Sequence, residues 1–320
     1  MKKLRYFFET LIVRGMELLL PRLPRHVLLS FARLAGTLAW IADASGRSTA
    51  MENLRAAYRG KLSTAERRRI VRRSYQNFGR AFADLFWASR LTHDNWHDLI
   101  THEEEDSAAI EEARKKGGLW VTAHFGNFEM AGLAWGFLGV PMTTVAQDFK
   151  NPGLTPIFQR LRASSGHTLI PQQGAVVRLM KVLARRGKIA MLTDLNIRPN
   201  RAAAVIDCFG LKTCVTTVHA MLAQRLGLMI FPAICLPRPD GTYHLKTFAP
   251  VHAPDGEDVA AAAQRCWDVF EKEIHKQPEL WMWMYKHWRY LPTEKTDPAY
   301  PAYANPNTPF RKLLAGLKPE

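Results

Sequence analysis

Apolar residues near the start of the chain recur every three or four positions. Within residues 1–20 they alternate with cationic and acidic residues, a pattern that predicts an amphipathic helix with cationic flanks. A second apolar stretch follows, but Arg33 interrupts it, and its longest charge-free run, 34–42, is far short of the ~20 residues that span a bilayer. We therefore expect residues 1–45 to form a pair of helices associated with the membrane interface. A soluble helical hairpin packed on the core is the alternative.

The pattern changes along the next part of the chain. Ser63 and Glu66 have the spacing of a capping box, which predicts a helix from there to about Arg90. From residue 107 onward, short apolar strands alternate with stretches long enough for crossover helices. Strands are predicted at 119–123, 142–146, 189–192, 229–235 and 244–248, and helices at 107–116, 127–138, 152–164, 174–186, 216–226 and 257–276. This alternation predicts an α/β fold with a mostly parallel central sheet flanked by helices.

Proline separates the end of the chain from the rest. Five prolines between positions 292 and 309 break any regular element, so 291–320 is predicted to be an extended tail. A short amphipathic segment at 310–314 is the exception. The three predicted parts are thus the N-terminal helices (1–45), an α/β domain (46–290) and the tail.

The charge balance narrows the choice of partners. The 320 residues include 44 Lys and Arg against 29 Asp and Glu, a net charge of +15. This excess excludes an acidic disordered regulator and predicts an anionic partner, but not which one. No nucleic-acid-binding signature is present, and neither cysteine nor histidine spacing predicts a metal site. Five arginines within 67–73 are either a solvated helix face or a basic patch near an anionic surface.

The strongest signal for catalysis is the segment HFGNFE at residues 124–129, which follows a predicted strand and opens a predicted helix. Open α/β sheets bind their ligands at such places. His124 can take a proton from a hydroxyl near neutral pH, and a carboxylate on its other ring nitrogen would fix its tautomer. Glu129 can supply that carboxylate only if His124 precedes the helix, a bend that Gly126 permits. A histidine bonded to backbone at a strand end is the alternative, and Asn127 is placed to cap the helix.

HFGNFE resembles the His-x4-acidic motif of the lysophospholipid acyltransferase superfamily. With Glu in the last place, it resembles the bacterial lipid A biosynthesis acyltransferases of the lauroyl- and myristoyltransferase type. Further blocks similar to this family follow in the same order: Asn53-Leu54, Asn151-Pro152, Gln159 to Arg162, Thr193-Asp194, Phe209-Gly210 with Thr216-Thr217, and Pro278 to Met284. The resemblance covers roughly residues 20–290. Asn196 departs from it, because the family often has a second Asp there.

The resemblance implies an O-acyltransferase of lipid A biosynthesis. Such an enzyme moves a fatty acyl chain from acyl carrier protein to a hydroxyl of an anionic glycolipid, a lipid A precursor, at the cytoplasmic face of the inner membrane. It implies His124 as the general base, oriented by Glu129. No metal is expected, and no cofactor beyond the prosthetic group of the donor. Backbone amides near 126–128 or an arginine would bind the oxyanion.

Four further residues are candidates for substrate binding. Arg160 and Arg162 suit an oxyanion, a phosphopantetheine or a glycolipid phosphate, with a solvated helix face as the alternative. Asp194 suits a substrate hydroxyl or an arginine, with a strand-end cap as the alternative, and Asn127 completes the set. Two other functions stay open: the same chemistry on another glycolipid, an aminolipid or a lysophospholipid, and a non-catalytic basic protein that binds membrane or nucleic acid.

Overall fold

A central seven-stranded sheet flanked by helices forms the core of the computed structural model, which describes residues 2–200 and 202–316. The strands are β1 (Ile100–Glu104), β2 (Gly118–Thr122), β3 (Thr143–Ala146), β4 (Thr168–Pro171), β5 (Lys188–Leu192), β6 (Ala203–Cys208), β7 (Leu211–Thr216), β8 (Ile230–Pro237), β9 (Tyr243–Thr247), β10 (Tyr290–Leu291) and β11 (Asn305–Pro306). The α-helices are α1 (Lys2–Leu19), α2 (Arg25–Ala42), α3 (Ala44–Ala57), α4 (Thr64–Trp87), α5 (Ser107–Lys116), α6 (Phe128–Phe137), α7 (Thr155–Ala163), α8 (Ala175–Ala184), α9 (Val218–Leu226), α10 (Val259–Lys276) and α11 (Thr308–Leu314). The predicted α/β class is confirmed.

The order of strands in the central sheet decides where the site lies. Neighbouring strands follow the order β1-β9-β8-β2-β5-β3-β4. All neighbours run parallel except β8 and β9, which are antiparallel. The carboxyl ends of β2, β5 and β3 therefore meet at one edge of the sheet, where ligands of open parallel sheets bind.

All five predicted strands are present, as β2, β3, β5, β8 and β9, with boundaries shifted by one or two residues. The strands β1 and β4, the antiparallel hairpin of β6 and β7, and the two-residue strands β10 and β11 were not predicted. In β1 only the first residue, Ile100, is buried, and β4 has only four residues, none of them buried. Neither strand presents the apolar run on which the prediction rested.

The first long helix of the α/β domain has the predicted capping box. The Ser63 hydroxyl accepts a hydrogen bond from the Glu66 amide at 3.2 Å, and the Glu66 carboxylate accepts one from the Ser63 amide at 2.8 Å. The helix that follows, α4, packs closely against α2. A Cβ atom at Gly36 of α2 would lie only 2.5 Å from the Cα of Gln76 in α4, so glycine is required for this approach.

The predicted N-terminal helix pair is present as α1 and α2. The first of them is turned with its polar side toward the rest of the protein. Its half-buried Glu9, Thr10 and Glu17 lie on the side that contacts the domain, and Val13 is its one buried residue among those described. Among the described residues, no single helix is long and apolar enough to cross a membrane. Only when α2 and α3 are taken together, as a pair bent by 91°, are the length and composition sufficient.

The end of the chain runs back over the domain. The predicted short segment near the end is helical, as α11, and the residues between it and β10 are mostly irregular, as expected from their prolines. Tyr300 and Phe310 are nevertheless buried. Before this segment, Trp281, Trp283 and Trp288 are fully buried, so this cluster belongs to the core.

Candidate active site

His124 lies just after β2, at the carboxyl edge of the sheet, and before the first residue of α6. The backbone then turns sharply at Gly126, which has a positive φ of 61°. A Cβ atom there would lie 2.2 Å from the carbonyl oxygen of Cys235 in β8, so only glycine fits this turn. The carbonyl of His124 accepts a hydrogen bond from the Met282 amide at 3.1 Å. This bond joins the HFGNFE turn to residues 278–288, here called the closing Trp-rich segment. His124 therefore precedes the helix, as predicted.

The carboxylate that holds the His124 ring is that of Asp194. His124 Nδ1 lies 2.8 Å from Asp194 Oδ1, and the His124 backbone amide donates to Asp194 Oδ2 at 2.9 Å. The Trp281 indole donates to the same Oδ2 at 2.9 Å. Asp194 follows β5, which pairs in parallel with β2, so both residues emerge at the same edge. The result is a histidine fixed in one orientation by a buried carboxylate.

The charge state of Asp194 follows from these contacts. Burial alone would raise the pKa of Asp194, but the neighbouring His124 and the hydrogen bonds it receives outweigh burial and lower this pKa below its usual value. Asp194 is therefore ionised at neutral pH and acts as an acceptor. It accepts a hydrogen bond from His124 Nδ1–H, which leaves Nε2 with its lone pair. No hydrogen bond to Nε2 is made by the residues described, and 14% of the side chain is exposed.

The expected contact between Glu129 and His124 is not formed. Glu129 lies in the first turn of α6, and both of its carboxylate oxygens accept hydrogen bonds from Arg162 of α7, one of them from Nε at 2.9 Å. The turn at Gly126 separates the two side chains, because it sets the His124 ring toward β5 and Asp194, whereas α6 carries Glu129 toward α7. Glu129 therefore orients an arginine in this structure, and not the histidine.

Asn127 has the predicted capping role, and its side-chain amide is bonded to other residues of the protein. Its side-chain oxygen accepts a hydrogen bond from the Met130 amide at 3.0 Å, which caps α6. Its side-chain nitrogen donates to Asp84 at 3.0 Å and to the Tyr243 hydroxyl at 2.9 Å. Asn127 is buried, and its role in substrate binding stays a prediction.

The two predicted arginines have different environments. Arg162 is 30% exposed and is paired with Glu129, while Arg160 is exposed and paired with Glu17 of α1. The structure thus brings Arg162 next to the first turn of α6 and brings Arg160 to the N-terminal helix instead. The backbone amides of Gly126 and Asn127 donate to carbonyl oxygens of Leu280 and Cys235, so these two are not available to an oxyanion.

Two aromatic residues complete the surroundings of Asp194, and sequence reasoning assigned them no place in the site. The ring of His287 stacks on Trp281 with centroids 3.9 Å apart. Burial lowers the pKa of His287 to about 4, so this ring is neutral and donates from Nε2 to the Met282 carbonyl at 2.9 Å. The closing Trp-rich segment was visible as a family block, but only the fold brings it to the catalytic edge.

Asparagine side chains of α3 and α4 hold that closing segment in place. Asn53 donates to the carbonyls of Trp283 and Tyr285, both at 2.7 Å. Asn77 donates to the Gly126 carbonyl at 2.8 Å and to that of Leu280 at 3.2 Å. The early Asn-Leu block thus has a structural role, since a buried backbone carbonyl without a partner is costly.

A histidine with a free Nε2 and a buried carboxylate on Nδ1, placed at the carboxyl edge of a parallel sheet, is the arrangement that general-base activation of a nucleophile requires. The family model for bacterial lipid A biosynthesis acyltransferases matches residues 1–290. The chain belongs to this family, as the sequence motifs predicted.

Several acyltransferases are similar to this chain over most of their length. Phosphatidylinositol mannoside acyltransferase of Mycolicibacterium smegmatis is 26% identical over 225 residues, which cover 68% of this chain and 72% of that protein. Lipid A biosynthesis lauroyltransferase of Escherichia coli K12 is 24% identical, covering 72% and 76%. Lipid A biosynthesis acyltransferase of Haemophilus influenzae is 26% identical, covering 73% and 75%.

Proposed function

We propose that this acyltransferase moves a fatty acyl chain from acyl carrier protein to a hydroxyl of a lipid A precursor. The observation that carries the proposal is the His124–Asp194 pair, since a hydroxyl is a weak nucleophile and needs a base of this kind. Family membership supports acyl transfer as the chemistry. The reaction needs no cofactor apart from the prosthetic group that carries the donor thioester.

The proposed reaction proceeds through one tetrahedral intermediate. Nε2 of His124 takes the proton of the acceptor hydroxyl while its oxygen attacks the thioester carbonyl carbon. The ionised Asp194 stabilises the imidazolium that forms. When the intermediate collapses, the carbon–sulfur bond breaks and the thiolate takes the proton back from Nε2. The products are an ester and the free thiol of the carrier, and His124 returns to its starting state.

Arg162 is the proposed donor to the oxyanion or to a phosphate of either substrate. Glu129 accepts hydrogen bonds from Nε and Nη2, which fixes the guanidinium plane. Nη1 makes no hydrogen bond to the described residues, and it is the donor left for a ligand. This assigns Glu129 an indirect role: it orients Arg162, which in turn faces substrate charge.

Membrane association at the cytoplasmic face of the inner membrane completes the proposal. Large apolar side chains of the first two helices are exposed: Leu4, Phe7, Phe8, Leu11, Ile12, Leu18 and Leu19 of α1, and Val27, Phe31, Leu34, Leu38 and Ile41 of α2. Exposed apolar side chains in this number on helices with cationic flanks suit a lipid interface. The net charge of +15 suits an anionic leaflet and an acidic carrier protein. Binding to anionic vesicles is then expected to weaken as salt increases.

A different glycolipid acceptor is the second candidate. The relatives named as phosphatidylinositol mannoside acyltransferases favour it, because they are as similar to this chain as the lipid A enzymes. Both acceptors present a sugar hydroxyl at a membrane surface, so the same base serves either. An aminolipid or a lysophospholipid acceptor would use the same chemistry.

An assay with purified protein tests both proposals. Acyl carrier proteins loaded with chains of defined length are incubated with the tetra-acylated lipid A precursor, or with phosphatidylinositol mannoside, in vesicles. We expect the wild-type protein to acylate the lipid A precursor. In His124→Ala the rate of this transfer should fall by at least 10³-fold while the melting temperature stays unchanged. Transfer only to the mannoside would replace the acceptor, and near-normal rates for His124→Ala would refute the chemistry.

A further inference from the structure

The Asn-Pro block, which the catalytic proposal leaves unused, contacts the N-terminal helix. Asn151 lies in the loop between β3 and α7 and is only 4% exposed. Its side-chain nitrogen donates to α1 at three places: the Tyr6 carbonyl at 3.0 Å, the Glu9 carboxylate at 3.1 Å and the Thr10 hydroxyl at 3.2 Å. Its side-chain oxygen accepts from the Gly153 amide at 3.0 Å, which fixes the loop. One buried amide therefore joins this loop to one turn of α1.

These bonds matter because α1 has little other attachment. Among the described residues of α1, Val13 is the one that is buried and Met16 is half-buried against the core, while the other large apolar side chains, from Leu4 to Leu19, are exposed. The second polar contact is the exposed pair of Glu17 with Arg160, which contributes little because solvent screens it. Hydrophobic burial, which usually fixes a helix on a domain, is thus largely absent here. The bonds of Asn151 are therefore the main polar attachment of α1.

The loop that holds α1 also leads into the active site. The carbonyl of Asn151 accepts from the Leu154 amide at 3.1 Å, next to the start of α7. Arg162, near the end of α7, is the partner of Glu129 in the first turn of α6. The loop itself follows β3 at the same edge of the sheet as His124. A helix with an outward apolar face is therefore fastened directly to the edge that carries the catalytic base.

We infer that Asn151 is a positioning residue that sets the angle between the lipid-facing side of α1 and the mouth of the active site. The inference rests on the proposed function, because it needs an acceptor presented by a membrane. When α1 lies in the interface, Asn151 holds the His124 edge at a fixed height and tilt above the lipid surface. Loss of the bonds leaves both the chemistry and the apolar surface intact, but presents the acceptor hydroxyl poorly.

Two substitutions and one matched control separate this role from a structural one. Asn151→Ala removes all bonds, whereas Asn151→Asp keeps the acceptor for Gly153 and loses the donors to α1. Asn95→Ala is the control: its oxygen accepts from the Thr92 amide and its nitrogen donates to the Arg90 carbonyl, in an exposed loop near β1 at the far edge of the sheet.

Kinetics with two acceptors give the first readout. Both probes are phosphorylated glucosamine disaccharides with the same hydroxyl: one carries long chains and is embedded in phosphatidylethanolamine–phosphatidylglycerol vesicles, the other carries short chains and stays in solution. We expect both Asn151 variants to lower kcat/KM about tenfold on vesicles, from the loss of about two hydrogen bonds, and by less than about twofold in solution. Equal losses on both probes, or no loss on vesicles, overturn the inference.

A distance measurement gives a readout independent of turnover. Spin labels are placed on Arg14→Cys in α1 and Gln159→Cys in α7, both exposed positions, since the four native cysteines are buried. On vesicles, the Asn151 variants should broaden the distance distribution between the labels, and Asn95→Ala should leave it narrow. An unchanged distribution in Asn151→Ala overturns the inference even if no acceptor is turned over. Failure of the proposed function is recognised separately: in that case His124→Ala transfers the acyl chain as fast as the wild-type protein.

Discussion

Replacing Asp194 with asparagine is the sharpest test of the site, because the side chain keeps its shape and loses only one acceptor and its charge. Oδ2 receives two N–H donors, the His124 amide and the Trp281 indole, both at 2.9 Å. Neither donor can become an acceptor. The oxygen of the new amide must therefore occupy the Oδ2 position, which places its NH2 group opposite His124 Nδ1.

The forced orientation changes the tautomer of the base. An NH2 group 2.8 Å from Nδ1 requires Nδ1 to accept, so the ring proton moves to Nε2, and Nε2 can no longer take a proton from substrate. The reverse orientation leaves the two buried donors unpaired, at a cost of about 1–3 kcal/mol each. A total of about 2–6 kcal/mol depopulates the active tautomer by about 30-fold to 10⁴-fold. Loss of the negative charge beside the imidazolium lowers the rate further, so we expect a loss of at least about 10³-fold in kcat for Asp194→Asn.

The assay combines initial rates of acyl transfer with nitrogen-15 NMR of the labelled His124 ring, which distinguishes the two tautomers. Asp43→Asn is the control, because Asp43 also accepts two hydrogen bonds, from the Gly46 amide at 2.8 Å and the Tyr75 hydroxyl at 2.7 Å, away from the site. Folded Asp194→Asn protein that retains more than a tenth of wild-type kcat, or a ring still protonated at Nδ1, would refute the reasoning.

Three further substitutions test other parts of the structure. Gly126→Ala should destabilise the fold by more than about 2 kcal/mol in urea unfolding, whereas Gly139→Ala, also at positive φ but with open space around it, should cost about 1 kcal/mol; equal costs would contradict the role of the Cys235 contact. Arg162→Lys keeps the charge but loses the fork, so kcat/KM should fall about 10- to 100-fold with unchanged melting temperature, and a wild-type value would exclude a ligand role. Burial lowers the pKa of His219 to about 4. Between pH 6.5 and 4 the unfolded chain therefore binds a proton at this residue and the folded chain does not, so the free energy of unfolding decreases as the pH is lowered through that window. His219→Leu should reduce this loss by up to about 3 kcal/mol, seen as a shallower dependence of unfolding free energy on pH; an unchanged slope would contradict it.

Features set by local sequence were predictable here. The capping box at Ser63 and Glu66 and the cap at Asn127 depend on residues within one turn, and both are formed as expected. His124 was also placed correctly, because a strand, a glycine and a helix start follow one another in the chain. Such features carry their own geometry, since the partners are fixed by neighbouring φ and ψ angles.

The carboxylate partner of His124 was not predictable in the same way. Asp194 is 70 residues from His124 along the chain, and only the parallel pairing of β2 with β5 brings them together. In that pairing Thr122 is opposite Leu192, so the residues two positions beyond each are neighbours at the strand ends. Strand order is a property of the whole sheet, and the family resemblance instead implied the local candidate, Glu129. An acidic residue two positions after a second strand was the available signal.

The N-terminal helix shows a different limit of pattern reading. Its periodicity predicted an amphipathic helix, but not which side would contact the domain, so a hairpin packed on the core stayed open as the alternative. The described contacts place the polar side, with Glu9 and Thr10, against Asn151, and leave the apolar side exposed. A helix packed for stability alone would bury the apolar side, because each large apolar side chain contributes about 1.5–3 kcal/mol on burial. The inverted arrangement therefore favours a lipid surface as the partner of the apolar side, and explains why polar bonds to a buried asparagine are needed to hold the helix.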